Sequence, residues 1–195
     1  MRQFQIVVIG CSRGGMHALS VVLGALPADF EPPIAVVQHR HKSSNEGLPA
    51  YLRARTQLKV VDVDDKLYIK PGCVYLAPAD YHLLVDRDRD NGVFDLSVDA
   101  AVSYSRPSVD VLFESAADAY RAAVAGVILT GANSDGARGV VRIKKQGGFV
   151  IVQDPEEAES PEMPRAAIGA ARVDRILPLE RIGPFLAELC RPNRT

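Results

Sequence analysis

Cysteine is scarce in this chain: Cys11, Cys73 and Cys190 are widely spaced, odd in number and form no C-x-x-C pair. That pattern indicates neither a disulfide framework nor a zinc site, and Cys11 reads as a small residue in a tight turn. Net charge is also close to absent, with 23 Lys and Arg against 24 Asp and Glu. Nothing in that balance draws the whole protein to nucleic acid or to an anionic membrane, and the basic cluster Arg40, His41, Lys42 is only local. No apolar stretch approaches the roughly 20 residues that span a bilayer. The first nine residues already read as a strand, which leaves no signal peptide. The expectation is a cytoplasmic protein with no nucleic-acid partner and no membrane insertion. Internal repeats and low-complexity linkers are missing as well, and 195 residues suit one well-buried domain over 1–195 better than two.

What the chain does have is alternation of apolar runs with helical patterning. Gln5–Ile9, Ile34–Gln38, Val124–Thr130 and Phe149–Gln153 are rich in Val and Ile without clean polar alternation, as strands buried on both faces are. Met16–Leu26, Ser108–Arg121, Ala137–Gln146 and Glu180–Leu189 carry helical patterning, and Gly147-Gly148 supplies a C-terminal stop for the third. The fold class this predicts is α/β: doubly wound, with a mostly parallel sheet and helices on both faces. The middle of the chain differs. Lys66–Lys70, Gly72–Ala77, His82–Asp86 and Phe94–Val98 are short strand signals split by turn residues, with Asn91-Gly92 as a hairpin turn. They predict a small antiparallel β excursion. Asp154–Pro164, with three prolines and five acidic residues, is expected to be an exposed loop near the sheet edge.

Chemistry concentrates at three strand ends. Gly10-Cys11-Ser12-Arg13-Gly14 fits G-x-S-x-G, a turn that lifts a serine hydroxyl above a sheet edge. His39 follows the second apolar run and Asp135 follows the third. In an open parallel sheet these positions share the carboxyl edge, where ligands bind. Together they supply a nucleophile, a base that titrates near neutrality and a carboxylate to orient it. Taken singly, each residue also has a plain reading. Ser12 fits a turn or helix cap, Asp135 fits a cap on the helix from Ala137, and His39 fits a satisfied histidine at a strand end.

Readings from other classes stand beside this one. Val8–Gly15 is similar to the phosphate loop of a short-chain dehydrogenase, but G-x-G-x-x-G is missing and Tyr120 has Val124, not lysine, four residues on. His39 and His41 share one strand face, as two metal ligands would, yet only His17 and His82 remain as further histidines. A non-catalytic interaction domain of the same doubly wound form is the third alternative.

Several ordered motifs resemble the chemotaxis-type protein-glutamate methylesterases, the CheB catalytic domain family. They run from about Phe4 to Leu189 and include Ile9–Gly15, Val37–His39, Pro71–Pro78 with His82-Leu83-Leu84, Arg106–Phe113, Leu129–Ala137, Gln153-Asp154 and Met163-Pro164-Arg165. The resemblance implies a serine hydrolase with catalytic Ser12, His39 and Asp135, which demethylates glutamate γ-methyl esters and deamidates glutamine on methyl-accepting chemoreceptor helices. Backbone amides around Arg13 and in Gly131, Ala132 and Asn133 are the expected oxyanion and substrate-binding groups, and no metal or organic cofactor is required. Arg13 stands where a small residue is usual, Ala132 replaces a usual methionine, and Ala158-Glu159-Ser160 replaces a Cys-containing segment. These departures bear on substrate preference and leave a non-catalytic or differently specific member as the alternative. With no room ahead of Phe4 for a receiver domain, the expectation is activity that is either constitutive or controlled by other chains, such as a separate receiver protein.

Overall fold

The computed structural model describes residues 4–39, 47–89 and 91–191. Its centre is β1 (Ile6–Cys11), paired in parallel with β2 (Ile34–Gln38) on one side and β7 (Val124–Ile128) on the other. The full order is β3-β4-β2-β1-β7-β8-β9, with β3 at Lys59–Asp62, β4 at Cys73–Leu76, β8 at Phe149–Gln153 and β9 at Arg175–Leu177. Every pairing in this sheet is parallel. All residues of β1 and β7 are buried, which accounts for their unbroken apolar composition.

Alternate residues of β1 divide the core in two. Val7, Ile9 and Cys11 pack with α1 (Gly15–Gly24), α2 (Leu48–Arg53) and α6 (Leu179–Leu189). Ile6 and Val8 pack with α3 (Val109–Tyr120), α4 (Ala137–Lys145), α5 (Glu162–Ala170) and the β5–β6 hairpin, His82–Asp88 with Asn91–Ser97. The period of two along a strand puts each set on one face. Chain order changes direction at β1, so the carboxyl ends of β1 and β7 border the crevice where open α/β sheets bind ligands. Gly10 lets α3 close over the end of β1, because a Cβ there would overlap the Val109 side chain.

The expected doubly wound sheet and antiparallel hairpin are both present, with local corrections. Gly72–Ala77 is not part of the excursion: it forms β4, inserted in parallel between β2 and β3. Lys66–Lys70 is no strand, and only Tyr68 makes an isolated bridge, to Val93. Asn91-Gly92 does not make the hairpin turn. Asp88 pairs with Asn91 inside the ladder, and Arg89, just past β5, lies in the left-handed region (φ 56°). Gly92 instead lies within β6, where a Cβ would overlap the Tyr120 hydroxyl. The loop from Asp154 ends at Pro161, and α5 begins at Glu162. Pro164 sits in the first turn of α5, where a missing N–H costs no helical bond. The helix stop after α4 is as expected: Gly147 has φ 81°, and the Gly148 amide returns to the Ile143 carbonyl at 2.9 Å.

Candidate active site

Ser12 follows β1 directly, its N–H donating to the Thr130 carbonyl beyond β7 at 2.9 Å. The Thr130 hydroxyl donates to the Arg13 carbonyl at 2.9 Å, so the β1 and β7 loops are tied together. Ser12 does not cap α1. The cap residue is Gly14, in the left-handed conformation at φ 76°, with no side-chain cap. Among the described residues the Ser12 hydroxyl has no hydrogen-bond partner, and it lines an open cleft of about 580 Å³ with Met16, His39, Tyr51 and Glu159.

His39 stands beside Ser12 because β1 and β2 run in register, with Cys11 opposite Gln38. The His39 amide donates to the Cys11 carbonyl at 3.0 Å. Gln38 then locks the two strand ends: its Nε2 donates to the Ser12 carbonyl at 2.8 Å and to the His39 carbonyl at 2.9 Å. The Cys11 thiol, 3.0 Å from Gln38 Oε1, is pushed up in pKa by burial and is inert packing.

Asp135 comes from the loop after β7 and meets His39 Nε2 through Oδ2 at 2.7 Å. Its carboxylate also accepts from the Val109 amide at 2.7 Å, the Asp110 amide at 3.0 Å and the Ser108 hydroxyl at 2.8 Å. Asp135 therefore caps α3 rather than its own helix from Ala137. Burial pushes its carboxyl up, but the bonds from His39, Asp110 and Val109 and the nearby imidazole outweigh that and hold it below the ordinary carboxylate value.

The histidine tautomer follows from a group whose role is fixed. The Asp135 backbone N–H can only donate, so the Asn133 atom 3.1 Å away is Oδ1. The Asn133 Nδ2 is then the atom 3.3 Å from His39 Nδ1, and as a donor it requires Nδ1 to accept. Nε2 carries the proton and gives it to Asp135. The ring is reversed relative to the serine-protease template, where Nδ1 faces the aspartate.

The expected oxyanion residues separate on inspection. Gly131 is excluded as a donor because its N–H is committed to the Ser160 carbonyl at 2.9 Å. Its glycine is needed for space, since a Cβ would overlap Met163 Sδ and lie 2.9 Å from Ser12 Cβ. Among the described residues the amides of Arg13, Ala132 and Asn133 have no acceptor. The Arg13 side chain is exposed and, among the described residues, forms no ion pair. The nucleotide alternative meets Glu159, whose carboxylate lies 2.7 Å from where a Gly14 Cβ would be and so opposes a phosphate there. As for metal, His41 lies outside the described residues, as do Arg40 and Lys42. Both His39 nitrogens already have partners, and no group of three or more metal-ligating side chains occurs among the described residues. Sequence reasoning missed Gln38, Ser108 and the side-chain role of Asn133, whose only signal was their place inside the motifs Val37–His39, Arg106–Phe113 and Leu129–Ala137.

The model of the family described as CheB methylesterase matches residues 7–186. The chain belongs to that family. Among CheB-type relatives it is 44% identical over 190 residues, 97% of each chain, to a putative protein-glutamate methylesterase/protein-glutamine glutaminase of Leptospira interrogans. It is 38% identical to the protein-glutamate methylesterase FrzG of Myxococcus xanthus, matching 95% of this chain and 54% of that one. The crystal structure of the Thermotoga maritima CheB methylesterase catalytic domain superposes with a TM-score of 0.93 at 36% identity, covering 96% of this chain and 99% of that one. No helix among the described residues is long and apolar enough to cross a membrane.

Proposed function

We propose that this chain is a serine hydrolase that demethylates glutamate γ-methyl esters and deamidates glutamine on methyl-accepting chemoreceptor helices in the cytoplasm. The observation that carries the reading is the 2.7 Å bond between His39 Nε2 and Asp135, which leaves Nδ1 basic on a ring that shares a cleft with Ser12. Ser12 Oγ attacks the ester carbonyl as its proton passes to Nδ1. The tetrahedral oxyanion lies against the amides of Arg13 and Ala132, each such donor being worth about 3 kcal/mol in comparable sites. The proton on Nδ1 then goes to the departing methoxide, giving methanol and a glutamyl ester on Ser12. Water repeats the sequence with the same base, and with glutamine the leaving group is ammonia. Throughout, Asp135 holds the ring and balances the imidazolium that forms. The likeness to enzymes of these two named activities supports the substrate class, and a separate receiver protein is the proposed regulator.

Incubation with receptor methylated on glutamate should release methanol in proportion to sites demethylated, and glutamine at those sites should yield ammonia. Release of neither product from receptor, with a small methyl ester still cleaved, would replace the receptor by another ester substrate.

A further inference from the structure

His39 Nδ1 carries one in-plane lone pair, and two groups have a claim on it. Ser12 must donate its hydroxyl proton there to become a nucleophile, and the Asn133 amide already donates there at 3.3 Å. Among the described residues the Ser12 hydroxyl has no partner at all, so the resting arrangement satisfies Asn133 and leaves the serine unactivated. The Asn133 side chain is held for this position from its other end: Oδ1 accepts the Asp135 amide at 3.1 Å, a two-residue turn that fixes the side-chain carboxamide beside the ring. Its bond to Nδ1 is neutral and near the long limit for a hydrogen bond, which makes it easy to exchange for another acceptor. One residue earlier, the Ala132 N–H has no acceptor among the described residues, so a carbonyl oxygen bound there would offer Nδ2 such an acceptor.

We propose that Asn133 is a positioning residue that guards the base. Its amide occupies His39 Nδ1 in the resting protein and releases it to Ser12 when a substrate carbonyl enters. The guard rests on the Ser12, His39, Asp135 reading above and adds to it a reason for the serine to stay quiet toward ordinary electrophiles until the cleft is filled. Removing the donor frees Nδ1 for Ser12, so reactivity in the empty cleft should rise. A merely structural role for Asn133 predicts the opposite, because loosening the loop would displace Asp135 and slow the serine.

The test uses the full chain labelled with ¹⁵N at histidine, with Ser12→Ala, Asn133→Ala and Asn133→Ser variants. Serine at 133 can still accept the Asp135 amide but is too short to reach the ring, so it keeps the turn and loses only the donor. At a pH where the ring is neutral, the His39 Nδ1 resonance should move in both Asn133 variants and stay in place in Ser12→Ala. Diisopropyl fluorophosphate supplies the second readout: Ser12 Oγ bonds to phosphorus, fluoride leaves and the hydroxyl proton passes to Nδ1. Labelling should be about three- to tenfold faster in Asn133→Ser than in wild type, the range set by the net worth of one neutral hydrogen bond. An Nδ1 resonance that moves in Ser12→Ala but in neither Asn133 variant, or labelling of Asn133→Ser no faster than wild type, overturns the guard while leaving the triad standing. Failure of Ser12 to take the label in any form overturns the triad reading and the guard with it.

Discussion

Asp135 and Asp110 cap each other's helices. Asp135, just ahead of α4, accepts the Val109 and Asp110 amides at the start of α3, while Asp110, in the first turn of α3, accepts the Gly139 amide at 2.8 Å at the start of α4. Both side chains are buried. The exchange locks two helix N-termini together and aims the second oxygen of Asp135 at His39, so the local capping chemistry and the orientation of the histidine are one arrangement.

The two carboxyls shift in opposite directions, which sets the acid behaviour of the fold. Burial raises Asp110, the Gly139 amide offsets part of that and the charge of Asp135 adds to it. Asp135 ends below its ordinary value. A lowered folded pKa gives stability that is present above the unfolded value of about 3.9 and lost as pH falls through the folded one. A raised pKa takes stability away as pH climbs from the unfolded value through the folded one. Asp135→Asn should therefore lose about 2 kcal/mol at pH 7 and show a flatter acid limb in urea unfolding from about pH 5 downward. Asp110→Asn keeps an oxygen for Gly139 and should stay within about 1 kcal/mol of wild type at neutral pH. Identical acid limbs for Asp135→Asn and wild type would contradict the assignment.

Gly10 links core packing to the site. A methyl group there must displace Val109, whose amide holds Asp135 at 2.7 Å. Gly10→Ala should destabilise by about 1–3 kcal/mol and lower kcat more than KM rises. Wild-type stability and turnover would show that α3 can retreat without moving Asp135.

The strands that build the site were legible because β1, β2, β7 and β8 are almost wholly buried and their residues are apolar apart from the terminal Gln38 and Gln153. The edge strands were not. Lys59–Asp62 offers only Val60 and Val61 as apolar residues, and Arg175–Leu177 is too short to carry a pattern. Helix α5 hid behind Pro161 and Pro164, which mark its start rather than prevent it. Gly72–Ala77 read correctly as extended chain, but a short apolar run does not state its pairing partner. At the site, Ser12, His39 and Asp135 could be found by strand-end logic. The commitment of the Gly131 amide to Ser160 and the reach of the Asn133 side chain depend on contacts between loops distant in sequence.

Arg13 places an exposed positive charge beside the N-terminus of α1, where the helix dipole disfavours a cation. A guanidinium next in sequence to Ser12 can hold a carboxylate flanking the ester on the proposed substrate. Arg13→Ala should weaken turnover of methylated receptor and flatten its salt dependence, while a small neutral methyl ester is cleaved as before. Equal loss on both substrates would show that the Arg13 side chain supports the loop that carries its oxyanion amide, or the fold, rather than docking.

In the proposed reaction Ser12 supplies the attacking oxygen, and His39 and Asp135 activate it. Methanol release from methylated receptor by wild type, Ser12→Ala and Asp135→Asn, each verified as folded, tests it most directly. Ser12→Ala should reduce release to the small residual rate that the oxyanion amides and binding alone support, and Asp135→Asn, which favours the wrong histidine tautomer, should reduce it by about 10⁴ as in a comparable triad. Turnover by Ser12→Ala equal to wild type would contradict the claim outright.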